Sequence, residues 1–252
     1  MKKKFIIISD LDGTIIPEFK DNSSQEISSD VYETFLKIKN GGNKIIFATG
    51  RRPWNTKDIP DNLLSIADTL ILANGAVILT KGKYDYNWIS EEKIKVLFKY
   101  LNYSDINYYI DTEKATFSRY LMGNGDWTLS IDKAVFSIRL SLVDTEIISN
   151  LISIVNTLDL SLISWSNGEI IYIEILERGI DKWASSLKSI EEDIIGNSQI
   201  VGIGNDINDL KLLINADISI GVGNNPVINI FSKIRSTNEE ELVFGLKKLL
   251  EG

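Results

Sequence analysis

Two carboxylates one residue apart, Asp10 and Asp12, stand at the end of the stretch Phe5-Ile6-Ile7-Ile8-Ser9-Asp10-Leu11-Asp12-Gly13-Thr14. Acids with this spacing at the end of an extended segment project to the same side, off the strand end where open α/β sheets place their ligand sites. Much further along, Gly204-Asn205-Asp206-Ile207-Asn208-Asp209 supplies a second acidic group, and Thr49-Gly50-Arg51-Arg52 supplies a hydroxyl, a small residue and two cations. The chain has no cysteine and no histidine. That removes disulfides, thiolate zinc sites, cysteine nucleophiles and every triad or general base built on imidazole. Any chemistry must run on carboxylates, lysine, tyrosine or hydroxyls, and a bound metal would be a hard, oxygen-liking cation such as Mg2+. Taken singly, each segment also has a plainer reading. Asp-Leu-Asp-Gly can be a polar turn, Thr49 can cap the next helix, and Lys182 can be a solvated helix lysine.

The elements that must position these residues follow from the apolar pattern. Phe5 to Ile8 is an uninterrupted apolar run, which predicts a strand buried on both faces in the middle of a parallel sheet. After the polar stretch Pro17 to Ser29, Ser28 or Ser29 caps a helix whose Val31, Phe35 and Ile38 share one face, and Gly41-Gly42 ends it. Lys44 to Ala48 is a second strand, so a right-handed β-α-β unit is in place. Thr69 to Leu72 is a third strand, and Asn74-Gly75 marks a tight turn into Ala76 to Leu79.

From Lys81 the texture changes to alternating, aromatic strands over Tyr84–Ile89, Ile106–Asp111, Ala115–Tyr120, Ala134–Leu142, Leu160–Trp165 and Ile170–Leu176. Two helices, Glu91–Leu101 and Thr145–Leu158, interrupt them as two β-α-β-β halves. This predicts an antiparallel sheet covered on one face. The first texture returns at Gly179, with a helix over Asp181–Ile190, a strand over Gln199–Ile203, a helix over Asp206–Asn215, a strand over Ile218–Val222, the segment Pro226–Phe231 and a last helix over Glu239–Leu250. The expected class is therefore α/β, a Rossmann-like parallel-sheet core over 1–80 and 179–252 with an inserted α+β domain over 81–178, hinged near Gly82 and Gly179. Parallel strands put the three polar segments at one sheet edge, where ligands of such sheets bind. Several carboxylates gathered there call for a cation between them, and a Mg2+ site facing an oxyanion is the simplest arrangement.

In that order, Asp10-Leu11-Asp12-Gly13-Thr14, Thr49-Gly50-Arg51, Lys182 and Gly204 to Asp209 resemble the four motifs of the haloacid-dehalogenase-like superfamily of phosphatases. The position of the insertion, with Asn74-Gly75-Ala76 before it, resembles the sugar-phosphate phosphatase branch with an α+β cap, which includes sucrose-phosphate and mannosyl-3-phosphoglycerate phosphatases. The resemblance implies that Asp10 attacks phosphorus to give an aspartyl-phosphate and that Asp12 serves as acid and then base. It implies that Thr49 and the Gly50 amide hold a phosphoryl oxygen, that Lys182 balances charge, and that Arg51 and Asn208 touch substrate. Mg2+ would be held by Asp10, the backbone carbonyl of Asp12, Asn205, Asp206 and Asp209. One departure stands out: Asn205 occupies a place that is usually a carboxylate, and Asp206 is expected to supply the missing charge.

The implied activity is a Mg2+-dependent phosphatase of a small phosphorylated metabolite, a sugar phosphate, with the cap closing to exclude water. A phosphomutase resembling phosphomannomutase and a catalytically silent ligand-binding protein on the same fold are the alternatives. Arg51, Arg52 and Trp54 can reach substrate or serve as a salt bridge and a core tryptophan. The loop Met122-Gly123-Asn124-Gly125-Asp126-Trp127 offers either a sugar-stacking platform or an ordinary strand connection. A formal net charge of −8 and the lack of a long basic block argue against nucleic acid. Lys2 to Lys4 precede too short an apolar run for a secretory signal, and no stretch approaches the roughly 20 apolar residues that span a bilayer. A cytoplasmic protein with no membrane partner is the expectation, and the oligomeric state is left open.

Overall fold

The computed structural model describes residues 4–17, 27–104, 106–119, 134–167 and 169–251. The Met122 to Trp127 loop lies outside them, and so does its stacking role. Among the described residues the strands are β1 (Lys4–Ser9), β2 (Lys44–Ala48), β3 (Thr69–Leu72), β4 (Val77–Thr80), β5 (Lys83–Tyr86), β6 (Tyr108–Thr112) and β7 (Thr116–Ser118). They continue as β8 (Val135–Leu142), β9 (Ser161–Asn167), β10 (Ile170–Leu176), β11 (Ser198–Gly204), β12 (Ile218–Val222) and β13 (Ile234–Ser236). The chain divides into two compact units, one of Met1–Asp85 with Lys182–Gly252 and one of Tyr86–Asp181.

The first unit is built on an eight-stranded sheet of order β13-β12-β11-β1-β2-β3-β4-β5. Pairing is parallel from β13 through β3 and antiparallel between β3 and β4. β1 lies inside it because Ile6, Ile7 and Ile8 are at most 1% exposed, each contributing roughly 1.5–3 kcal/mol by leaving water. Ile6 and Ile8 pack with Ile46, Ile71 and Leu212, and Trp183 and Leu187 of the helix Lys182–Lys188 pack against this cluster. The alternate residue Phe47 meets Phe35 of the helix Ser29–Asn40, ring centroids 5.6 Å apart. Ser28 caps that helix by accepting from the Val31 amide at 3.2 Å, and the Gly41 amide closes it on Lys37.

The second unit is an antiparallel five-stranded sheet of order β7-β6-β8-β10-β9. Leu97, Phe98 and Leu101 of the helix Glu91–Tyr103, with Leu151 and Val155 of the helix Thr145–Thr157, share a core with Tyr108, Ile110, Ile138, Leu140, Ile173 and Ile175. The α/β class with an inserted α+β domain is thus the fold observed.

Two features depart from the expected pattern. The segment expected as the first strand of the insertion, Tyr84 to Ile89, is instead shared. Lys83–Tyr86 is the edge strand β5 of the large sheet, and Ile89 makes an isolated bridge to Val135. The cause is the two-residue turn Lys81-Gly82, with φ of 51° and 76°, which folds the chain straight back along β4. The helix Asp61–Ile66 and the edge strand β13 also went unforeseen, being six and three residues long. Among the described residues no helix is long and apolar enough to cross a membrane.

Candidate active site

The site begins where β1 ends. The Asp10 amide still donates to Ile203 of β11 at 2.9 Å, so the strand pairing runs one residue past Ser9. Asp10 therefore falls on the same side as Ile6 and Ile8, the side covered by the helix Lys182–Lys188. Lys182, the first residue of that helix, is 1% exposed. Its Nζ lies 2.6 Å from Asp10 Oδ1 and 2.7 Å from Asp209 Oδ1. Burial and then the neighbouring Asp209 charge push Asp10 up from 3.8 to about 7, against the pull of Lys182. Burial works against the Lys182 charge, but the two carboxylates outweigh it and raise the ammonium above its ordinary value.

Beyond Asp10 the chain winds tightly. The Leu11 carbonyl accepts from the amides of Thr14, Ile15 and Ile16 at 2.8–3.2 Å, and Gly13 takes the left-handed φ of 75° that the turn needs. The turn places the Thr14 hydroxyl 3.0 Å from Asp10 Oδ2 and 3.0 Å from Asn205 Oδ1. It also separates the two acids. Asp10 is 4% exposed, whereas the Asp12 side chain is 48% exposed.

Asp12 is held from the end of β2. Thr49 Oγ1 donates to Asp12 Oδ2 at 3.1 Å and accepts from the Arg51 amide at 3.0 Å. The Arg51 guanidinium grips the same carboxylate, with Nη2 at 2.6 Å and Nε at 3.1 and 3.2 Å, while Nη1 donates to the Asp58 carbonyl at 2.7 Å. Arg51 thus appears as a salt bridge at the site, and Arg52 is buried and donates to the Gly50 carbonyl.

The end of β11 closes the arrangement. Asp209 Oδ2 accepts from the amides of Asn205 and Asp206 at 3.0 and 3.1 Å, so Asp209 folds back over its own loop. That approach requires Gly204, where an added Cβ would stand 2.3 Å from Asp209 Cβ. Asp206 caps the helical turn Ile207–Asp209, its Oδ1 accepting from the Ile207 amide at 2.7 Å. The carboxylate expected to stand in for Asn205 is therefore engaged in its own loop, and the Asn205 side chain lies next to Thr14 and Asp10. Asn208 Nδ2 donates to Asn74 Oδ1 at 3.1 Å. The dipeptide Asn74-Gly75 signals a turn and belongs to the segment that carries the branch resemblance, but nothing in it signals this contact.

A family profile described as haloacid dehalogenase-like hydrolase matches residues 7–244, which takes in every segment just described. The chain belongs to this family. No curated protein matched by sequence. Among solved structures, the fold is similar to BT1666 of Bacteroides thetaiotaomicron, described among phosphatases of the superfamily, at 18% identity over 98% of this chain and 95% of that one, with a TM-score of 0.79. It is similar to the subclass IIB sugar phosphatase BT4131 at 16% identity over 97% and 98%, TM-score 0.76. A protein described as hypothetical from Geobacillus kaustophilus HTA426 aligns at 17% identity over 98% and 99%, TM-score 0.75. At such identities the likeness is one of fold.

A haloacid dehalogenase-like site implies a divalent cation, and the residues present fit one. With Asp10 ionised, as a nucleophile must be, it and Asp209 set two buried negative charges against the single ammonium of Lys182, so the buried cluster is then one positive charge short. The Thr14 hydroxyl has one proton for two acceptors, Asp10 Oδ2 and Asn205 Oδ1, which leaves one of these oxygens for another partner. Among the described residues no three carboxylates form a cage by themselves. Mg2+ does not need one, since it is held by one or two carboxylates together with neutral oxygens, water and substrate phosphate.

Proposed function

We propose that this hydrolase is a Mg2+-dependent phosphatase of a small soluble phosphorylated metabolite, a sugar phosphate, acting through an aspartyl-phosphate on Asp10. The observation that carries the reading is the division of the site. One carboxylate is buried against an ammonium, and a second, two residues on, is exposed and held by a hydroxyl and a guanidinium. The first environment suits a fixed nucleophile, the second a group that exchanges protons with water.

Asp10 attacks phosphorus, and the bond to the leaving oxygen breaks as Asp12 delivers a proton to it. Water then attacks the phosphorus of the aspartyl-phosphate, Asp12 takes its proton, and inorganic phosphate departs with Asp10 restored. Asp10, the Asp12 backbone carbonyl and Asn205 Oδ1 would hold Mg2+, which would supply positive charge favouring ionised Asp10 and offsetting the phosphoryl oxygens. Lys182 keeps Asp10 aimed and balances Asp209. Thr49 and the Gly50 amide receive a phosphoryl oxygen. Arg51 moves from Asp12 to the phosphoryl group when substrate enters, which frees Asp12 to carry its proton. Sugar phosphates are favoured because the fold extends the likeness to BT4131 through the inserted domain, over 97% of this chain.

The test is phosphate release from a panel of sugar phosphates, phosphoglycolate and nucleotides, with Mg2+ and with chelator. Turnover that needs Mg2+, requires no bisphosphate activator and disappears in Asp10→Asn is expected. Turnover surviving in Asp10→Asn, or none from any phosphomonoester, overturns the reading.

A further inference from the structure

The three-residue turn Ala73-Asn74-Gly75, between β3 and β4, is strained and centrally tied. Ala73 and Asn74 both have left-handed backbone, φ 49° and 52°, and Gly75 follows at φ 111°. Two successive non-glycine residues in this region persist only where their surroundings hold them. Here the surroundings are the loops of the proposed active site. The Ala73 amide donates to the Arg51 carbonyl at 2.8 Å and the Asn74 amide to the Thr49 carbonyl at 3.0 Å. Ser185, one turn along the helix that starts at Lys182, donates to the Gly75 carbonyl at 2.7 Å. The Asn74 side chain, 3% exposed, lies beside Gly50 and accepts from Asn208. One short turn thereby touches the loop after β2, the lysine helix and the loop after β11.

The second observation is an orphan. Asn208 Oδ1 is buried and has no hydrogen-bond partner among the described residues. A buried carbonyl oxygen left unpaired is unfavourable, and an amide can exchange its oxygen and nitrogen by a half-turn. In a pair of amides the choice is mutual. When Asn74 accepts, Asn208 offers its oxygen to the orphan position; when Asn74 donates, Asn208 offers N–H there instead. Only the second orientation suits an oxyanion. Resting on the reading that this site takes a phosphoryl group, we infer that Asn74 is a positioning residue. Its turn fixes the Thr49-Gly50-Arg51 loop, and its amide sets whether Asn208 presents a donor or an acceptor.

Asn74→Asp tests this, because a carboxylate can only accept and so locks Asn208 with its oxygen toward the orphan position. Asn74→Ala leaves Asn208 free to turn, and Asn74→Gly does the same without backbone strain should the alanine variant fold poorly. The probe is inorganic phosphate with Mg2+, read by its dissociation constant from the concentration dependence of thermal unfolding. Asn74→Asp should weaken phosphate binding roughly tenfold or more, and Asn74→Ala or Asn74→Gly by no more than about threefold. The added charge could repel phosphate on its own, so the same substitution is made in an Asn208→Ala background. There its effect should shrink to under about twofold if it acts through Asn208. Equal effects of Asn74→Asp and Asn74→Ala overturn the inference. So does an Asn74→Asp penalty that is undiminished without Asn208, or a wild-type protein that phosphate does not stabilise. Wild-type hydrolysis of p-nitrophenyl phosphate is scored separately. Its failure would remove the phosphatase reading, while the binding cycle still decides the role of Asn74.

Discussion

Replacing Lys182 with methionine removes the one cation between two buried carboxylates, and the pH at which the loss deepens follows from the geometry. Asp10 and Asp209 would each lose an ammonium at 2.6 and 2.7 Å while remaining buried. Breaking a buried ion pair on one side costs about 3–5 kcal/mol when the abandoned charge stays ionised. In the metal-free wild type, burial and Asp209 hold Asp10 at about 7 against 3.8 in the unfolded chain. Between those values the folded state keeps a proton that the unfolded state has released, so this group makes stability fall as pH rises across that window and leaves it level above. Lys182 pulls Asp10 down. Without it Asp10 releases its proton at still higher pH, and the fall continues where the wild type has levelled. Lys182 itself is raised above its ordinary value, so it stays charged throughout and adds no slope of its own. The variant should carry a deficit at every pH from leaving Asp209 buried without its ammonium, within the range of about 3–5 kcal/mol, and this deficit should grow by up to about 1.4 kcal/mol per pH unit as pH rises past about 7. Because the chain has two compact units, a single unfolding midpoint would mix them. Amide exchange of β1 and β11 in chelator, followed by mass spectrometry, isolates the relevant unit. A deficit that does not change with pH, or that is larger at acid pH, would refute the reasoning.

Asn205→Ala should raise the Mg2+ concentration for half-maximal turnover by roughly tenfold or more, since it deletes a proposed ligand. Asp206→Ala should leave that concentration within about twofold and instead cost about 1 kcal/mol in urea unfolding through loss of a cap; the opposite ranking would return the ligand role to Asp206. Gly204→Ala forces a Cβ to within 2.3 Å of Asp209 Cβ, so Asp209 must leave Lys182 and turnover of p-nitrophenyl phosphate should collapse together with thermal stability. Near-normal values of both would sink the steric account. In the inserted unit, Arg139 makes bonds of 2.8 and 2.9 Å to the fully buried Asp111. Arg139→Met should cost about 3–5 kcal/mol there, seen as faster amide exchange in β6 and β8 with β1 unchanged; unaltered protection would show the pair to be dispensable.

How much of this was legible depended on whether the signal was local. Phe5 to Ile8, Lys44 to Ala48 and Gln199 to Ile203 are apolar runs closed by polar residues, and each became a central strand with a site loop at its end. β5 was hidden because Tyr84, Tyr86 and Trp88 alternate like the strands of the insertion; only the Lys81-Gly82 turn marks where it pairs. The helix Asp61–Ile66 turns only Leu63 and Ile66 inward, too few for a period to show. At the site, the placement of the Asp206 carboxylate turns on one dihedral step. Asp206 has extended backbone, φ −133° and ψ 172°, directly before a helical turn, so its carboxylate bends to the turn's amides. Asp206 and Asp209 at that spacing form a capping box, which occupies the Asp206 carboxylate within its own loop. The Asn74 to Asn208 contact spans 134 residues and depends on two turns meeting, which no local pattern encodes.

The contrast between Asp10 and Asp12 shows why two acids so close together need not compete. Leu11, fully buried, fixes the chain between them and accepts three amides on one carbonyl. Upstream of that anchor the backbone is still paired to β11, so Asp10 inherits the rigidity of the sheet and the dry face beneath the lysine helix. Downstream the chain has turned, and Asp12 emerges beside Thr49 and Arg51 with half its side chain in solvent. A nucleophile gains from being held and desolvated, because its attack then needs little reorganisation. A group that gives a proton and takes one back in each cycle gains from water and from a cation that can let go. The net charge of −8 offers no long-range attraction for the anionic substrate proposed here, whose capture would then rest on local positive charge at this edge. Lys182 already faces two carboxylates, so under the proposed function a cation held at Asp10 and the Arg51 guanidinium, now paired with Asp12, are the groups that would receive the phosphoryl group.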